Sequence, residues 1–311
     1  MNIRNGAAFL REALDSVMAQ TFTDWELIVW DDCSTDESAQ IVADYKDPRV
    51  RYFLSPEETP LGKARDNAIR EARGEWLAFL DQDDLWTPTK LEKQMALAGA
   101  HVGIIYGRSV LFHPNGRQRD YDQAHEFTPL PEGNIFNELF RCACFIAMSS
   151  AVLRRSAVEE VGGIPEWVEL TPDYYLYTAI ARQYTSRAIQ EVVCQYRVHP
   201  GSMTRSNRRK LCEEPLRLLE RWADQLDPRI VAYRRMTYST ALAFEEIKSL
   251  RSASHGVRRL FSLGSVRWLV SRPFIHALRA VRRSVRRPLW KASPAQTEES
   301  ALSSDVMQPL R

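Results

Sequence analysis

The stretch Glu75-Trp-Leu-Ala-Phe-Leu-Asp-Gln-Asp-Asp-Leu-Trp-Thr-Pro88 decides how the rest of this chain is read. An apolar strand ends in three carboxylates within four positions and runs straight into a helix start, with Thr87 as the expected N-cap and Pro88 at the first helical position. Strand side chains alternate between faces. Asp81 and Asp83 are therefore expected to share one face at the carboxyl end, where open α/β sheets hold their ligands. Two carboxylates held that close repel each other. A hard divalent cation such as Mg²⁺ or Mn²⁺ removes that cost and offers its remaining positions to a diphosphate. The same residue types also serve as helix caps and solvated loop ends, and Asp84 is expected to cap the turn that follows.

A second strand end upstream repeats the pattern. Glu26-Leu27-Ile28-Val29-Trp30 is an apolar run that ends in Asp31-Asp32-Cys33-Ser34-Thr35-Asp36. Two strand ends of this kind point to one ligand crevice. Around them strand alternates with helix. Phe9, Leu10, Ala13, Leu14 and Val17 recur at helical spacing. Ser34 or Asp36 can cap a helix reaching about Tyr45, Val50 to Leu54 read as a strand, Gly62 to Ala72 as a helix and Val102 to Tyr106 as a strand. To this point the pattern is that of a parallel, doubly wound sheet. From Ser109 to Gly133 the alternation is lost, and a hairpin or lid loop is expected. A helix over Ile135–Cys144, a strand over Ser149–Leu153, a helix over Pro172–Tyr184 and a strand over Ala188–Val198 follow. Beyond Thr204 the texture becomes long and helical.

Trp25 to Asp36, the Gly62-Lys63-Ala64-Arg65-Asp66-Asn67 turn, Gly74 to Pro88, Val161-Gly162-Gly163 and Tyr196-Arg197-Val198-His199-Pro200 stand in the order and spacing of family 2 glycosyltransferases, which the chain resembles over about residues 5–204. The resemblance implies a GT-A fold: a Rossmann-like, mixed, mostly parallel sheet with helices on both faces, here with a C-terminal helical extension. It also implies transfer of a sugar from a nucleoside-diphosphate sugar to an acceptor hydroxyl with inversion, assisted by Mn²⁺ or Mg²⁺. Asp32 stands where the family's acid meets the nucleotide base, a cap on the next helix being the structural alternative. Arg65 can meet base or phosphates, since a guanidinium pairs bidentately with oxyanions, or remain a solvated helix charge. Asp81 resembles the acid that contacts ribose or metal, and Asp83 the direct metal ligand. Asp173 matches the family's catalytic base, although Pro172 replaces the usual Glu beside it; otherwise it is a carboxylate at a helix amino end. His199 matches a segment that closes over the diphosphate or completes the metal shell, against an ordinary hydrogen-bonding histidine.

The resemblance also implies a central first strand ahead of Asn5. That strand is expected to be absent here, through an upstream start or a damaged copy, with Arg4 where Tyr is usual. The expected domains are a GT-A domain over 1–204, a basic helical extension over 205–291 and a disordered tail over 292–311. The overall charge of +2 hides a split: residues 1–200 hold 20 Lys plus Arg against 30 Asp plus Glu, while 201–311 hold 22 against 10. Lys248 to Lys291 carries 12 basic residues and no acid. Within it, Phe274, Leu278, Val281 and Val285 share one helical side, which suits an anionic membrane surface as well as a solvated helix. The arginines lack interleaved stacking aromatics, so no nucleic acid is expected. Five cysteines without paired spacing, no secretory signal and no apolar run of about 18 residues lead us to expect a cytoplasmic protein, peripheral at the inner membrane face and acting on a glycan or lipid-linked acceptor. A second expectation, favoured by Arg4 and Pro172, is an inactive GT-A-fold protein serving as a membrane-surface or assembly module. Donor sugar, base, acceptor and linkage depend on loop side chains that the sequence does not single out.

Overall fold

The computed structural model describes residues 1–113, 118–120, 127–202 and 207–253. The expected helix that carries Phe274, Leu278, Val281 and Val285 and the expected tail over 292–311 lie outside them. Met1–Lys248 form one compact unit.

Nine strands and nine α-helices are formed among the described residues. Strands β1 (Asn2–Ile3), β2 (Leu27–Asp31) and β3 (Val50–Leu54) are parallel in the order β1-β2-β3. A second sheet has the order β4-β8-β6-β9-β5, built from Trp76–Ala78, Val152–Arg154, Val102–Phe112, Thr185–Arg197 and Leu85–Trp86. β7 (Gln118–Asp120) pairs antiparallel with the end of β6 and forms a hairpin within the expected loop. A parallel bridge between Asn2 and Asp81 links the two sheets. Parallel pairing holds among β1, β2, β3 and between β6 and β9, whereas β8 and β5 enter antiparallel, so the whole is mixed.

Alternation along the strands divides two cores, one on each face. Ile104, Leu77 and Leu153 point into one; their chain neighbours Ile105, Ala78 and Val152 face the other. α1 (Ala7–Met18) supplies Leu10, Ala13, Leu14 and Val17 to the second core, at the spacing that the sequence predicts. The remaining helices of the first half are α2 (Ser38–Ala43), α3 (Leu61–Glu71) and α4 (Lys90–Met95). The first core is covered by α5 (Phe136–Arg141), α6 (Arg155–Glu160), α7 (Pro172–Ala181), α8 (Lys210–Arg221) and the start of α9 (Pro228–Ala253). Leu218, Leu219 and Trp222 are buried in that core beside Phe140 and Tyr175. α8 is thus packed against the same apolar surface as α7.

Three expectations are corrected. A first strand is present, contrary to the expectation that it is absent: Asn2–Ile3 pairs with β2, and the Met1 and Ile3 carbonyls accept the Trp30 and Asp32 amides, both at 2.9 Å. A cavity of about 620 Å³ between β2 and β4 is lined by Met1, Trp25, Ile28, Ala68, Trp76 and Phe79 among others. Thr87 does not cap a helix. Its amide donates to the Val193 carbonyl at 3.0 Å as β5 runs along β9, and the helix begins later, at Lys90 after Thr89. Asp84 likewise precedes a strand, not a helical turn, and its carboxylate is used inside the sheet, as described next.

Candidate active site

The crevice forms where β1, β2 and β4 end and where α3, α7 and the end of β9 meet them. β2 closes with a reversal at Cys33, whose φ of +62° is a left-handed value uncommon outside glycine. Asp32, 5% exposed, accepts the Thr59 amide at 3.1 Å and the Thr59 hydroxyl at 2.9 Å, and so fixes the loop that leads into α3. Asp32 is therefore bound to its own scaffold, on the far side of β1 from Asp81.

Arg65, one turn into α3, is 6% exposed and paired with Asp81. Burial works against its charge, but Asp81 and then Asp173 outweigh that, and its pKa is raised. Asp173 sits in the first turn of α7, its Oδ1 accepting the Tyr174 amide at 2.8 Å. Burial pushes its carboxyl above the usual range while the Arg65 charge works the other way. One guanidinium thus faces two carboxylates from different elements.

The second grouping is Asp83 with His199. The His199 Nε2 and Asp83 Oδ2 atoms are 2.8 Å apart, and the imidazole rests on Phe9 at 4.8 Å between ring centroids. The Asp83 carboxyl is raised, by burial first and by the neighbouring Asp81 next, with the His199 hydrogen bond opposing. Asp84 is fully enclosed: its Oδ2 accepts the Ser149 hydroxyl at 2.6 Å and its Oδ1 the Arg197 amide at 3.0 Å. Burial and the two adjacent acids raise it well above the ordinary range, which leaves Asp84 a structural carboxyl.

Arg197 was not singled out by sequence as a site residue, yet it fixes this turn. Its Nε donates to the Asp83 carbonyl at 2.7 Å and its Nη2 to Glu12 at 2.9 Å, with the guanidinium between the rings of Phe9 and Phe112. Gln82 was missed too; it exchanges two hydrogen bonds with the Arg4 backbone, Arg4 N–H to Oε1 at 2.8 Å and Nε2 to the Arg4 carbonyl at 3.1 Å. A side chain thus continues the strand pairing between the end of β1 and the acidic turn. The Tyr-Arg-Val-His motif contained Arg197, but nothing local could have named Glu12 as its partner.

Among the described residues, no three His, Cys, Asp or Glu side chains converge as a ready-made metal cage. The pair Asp83–His199 offers one oxygen and one nitrogen beside a clustered negative charge. That donor set fits a cation held by few protein ligands, with phosphate oxygens and water completing its shell, and the imidazole suits Mn²⁺ better than Mg²⁺. The chain therefore has residues able to hold such an ion. All five cysteines are free thiols.

The sequence model of glycosyl transferase family 2 matches residues 1–162. This chain belongs to that family. It is 33% identical over 211 residues to the uncharacterized protein y4gI of Sinorhizobium fredii, covering 65% of this chain and 22% of that protein. It is 27% identical over 210 residues to WfgD of Escherichia coli, named as a UDP-Glc:α-D-GlcNAc-diphosphoundecaprenol β-1,3-glucosyltransferase, covering 67% of this chain and 79% of WfgD. Among solved structures, the mannosyltransferase PcManGT of Pyrobaculum calidifontis, in complex with GDP-Man and Mn²⁺, superposes with a TM-score of 0.60 at 21% identity, over 92% of this chain and 80% of that one. At that identity the likeness speaks for the GT-A fold.

Proposed function

We propose that this protein is an inverting, metal-dependent glycosyltransferase that moves a sugar from a nucleoside diphosphate to a hydroxyl of a glycan, or lipid-linked glycan, acceptor. The observation that carries the reading is the convergence of the Arg65–Asp81 pair, the Asp83–His199 pair and Asp173 around one crevice at the strand ends. In this reading Asp32 and Asp81 hold the nucleoside and Arg65 meets the phosphates. A divalent cation on Asp83 and His199 would supply charge neutralisation for the departing diphosphate. Asp173 accepts the proton of the acceptor hydroxyl as that oxygen forms its bond to the anomeric carbon. The bond from that carbon to the diphosphate breaks on the opposite face, the electron pair leaving with the phosphate oxygen. The names of WfgD and PcManGT carry two different bases, uracil and guanine, so the donor base is left to experiment.

The test is thermal unfolding with UDP, GDP, dTDP and CDP, each with and without Mn²⁺. A ligand that binds only the folded state raises the melting temperature by mass action. A metal-dependent rise with one nucleotide is expected. A folded chain that responds to none would overturn the reading in favour of an inactive module.

The position of Asp173 also sets a pH dependence. Its folded pKa is raised, so the base is protonated and idle until the pH passes that raised value, and kcat/KM should rise with pH above the ordinary carboxylate range of about 4. Because Arg65 holds that pKa down, Arg65→Gln is expected to move this acid limb further toward neutral pH, whatever it does to the plateau. An unmoved limb in a pH–rate profile would disconnect Asp173 from it.

The basic stretch from Lys248 to Lys291 supports a contact with the anionic inner face of a membrane, where a lipid-linked acceptor would be presented. The protein is expected to sediment with anionic vesicles at low salt. Failure to do so removes the membrane from the reading.

A further inference from the structure

The three residues ahead of Pro172-Asp173 are held by one carboxylate from α8. Glu214, on α8 and 7% exposed, receives the Glu169 amide at 3.1 Å, the Leu170 amide at 3.1 Å, the Thr171 amide at 2.9 Å and the Thr171 hydroxyl at 2.8 Å. Three successive backbone N–H groups aimed at one anion form a nest, a geometry that fixes the backbone at every residue contributing to it. Thr171, the residue preceding α7, spends its hydroxyl on Glu214 and makes no side-chain cap of its own helix.

The opposite side of the loop is fixed by α3. The Gly62 amide donates to the Glu169 carbonyl at 3.0 Å, and a Cβ built on Gly62 would lie 1.8 Å from the Val168 carbonyl oxygen, so only glycine admits this approach. The segment 168–171 is thus gripped between the helix that carries Arg65 and the helix that carries Glu214, and α7 begins from it with Asp173 as its second residue.

We infer that Glu214 is a positioning residue for Asp173: by binding the 169–171 amides it sets where α7 starts and hence where the carboxylate of Asp173 stands. The inference rests on the reading of Asp173 as the base. Pro172 fixes one backbone angle beside that carboxylate, and Glu214 fixes the chain that leads into it. A displacement of about 1 Å in a reacting group can cost about 10²-fold in rate.

The experiment is a double-mutant cycle on turnover, joined to amide exchange. Glu214→Gln keeps the size but turns an NH₂ group toward the amides. It is expected to speed exchange at Glu169–Thr171 and to lower kcat about 10²-fold, leaving unchanged the rise in melting temperature caused by nucleotide and metal. In an Asp173→Asn background the same change should cost nothing further, because the group it positions has gone. Glu214→Asp, which retains the charge, should restore part of the rate. Should Glu214→Gln fail to fold, Thr171→Val removes one of the contacts and is expected to give a smaller loss with the same non-additivity. Exchange at 169–171 unaffected by Glu214→Gln, or a loss in the Asp173→Asn background equal to that in wild type, overturns the positioning role alone. A folded wild-type chain with no turnover overturns the glycosyltransferase reading and this inference together.

Discussion

Asp173→Asn is expected to lower kcat about 10³-fold while the protein keeps its fold and its response to nucleotide and metal. The magnitude is that of a general base removed from a proton transfer, about 4 kcal/mol of transition-state stabilisation. The fold should tolerate the change because the carboxyl of Asp173 is already biased by burial toward its neutral form, and an amide of the same shape still accepts the Tyr174 amide. What it cannot do is take a proton. Single-turnover transfer separates this step from donor binding: a normal rate in the variant would remove Asp173 from the reaction and leave it as a carboxylate at a helix amino end.

The second large effect is expected at Asp83. In wild type, Mn²⁺ with the cognate nucleotide at about 100 times its dissociation constant should stabilise by about 2.7 kcal/mol, equivalent to about 5–10 °C for a domain of this size. Asp83→Asn is expected to abolish the metal-dependent part of that rise and to lower kcat/KM by about 10²- to 10³-fold, the loss typical of one removed electrostatic stabiliser. The ligand-free variant should behave differently. Burial and the nearby Asp81 raise the Asp83 carboxyl, so ionising it costs the folded state stability as pH climbs through that raised pKa. At neutral pH the empty Asp83→Asn protein should therefore melt no lower than wild type. A variant that loses stability without ligand, yet still responds to Mn²⁺, would assign Asp83 to the scaffold. His199→Ala tests the other donor of the pair and should weaken the same metal-dependent rise.

The two carboxylates differ in what their surroundings ask of them. Asp83 shares its turn with two further acids, a concentration of negative charge that a cation relieves, and lies against His199 from beyond β9. Asp173 stands apart on α7 with Arg65 as its counter-charge, an arrangement that leaves a raised carboxyl able to ionise. Asp84, chemically identical, is enclosed by Ser149 and Arg197 and serves only to tie the turn to β9.

The candidate residues of the crevice were legible as a group because they mark the ends of apolar runs. Asp32 follows β2, Asp81 and Asp83 follow β4, and His199 follows β9, each where apolar alternation stops and the chain leaves the sheet. The helical spacing of α1 and the apolar runs of β2 and β6 were equally plain, since each is dictated by local periodicity against a sheet face. The pairings among these residues were not legible. Arg65 with Asp81, Arg197 with Glu12 and Glu214 with the 169–171 amides join positions 16, 185 and about 44 residues apart, and no local pattern records such partners.

The sequence by itself determined the family, the two-faced sheet and the list of acids at its edge, because burial period and strand-end chemistry are properties of short segments. Tertiary structure alone decided which partners each acid meets. It turned the Thr87 amide to the Val193 carbonyl, by laying β5 along β9, and made Asp84 a buried structural carboxyl, by bringing Ser149 and Arg197 to it. It admitted a two-residue β1 by pairing it with β2 and bridging it to Asp81. It also set Glu214 against the loop before Asp173. Each outcome depends on which distant surfaces a folded chain brings within hydrogen-bond reach, and the energy of those contacts exists only once the intervening chain has been ordered.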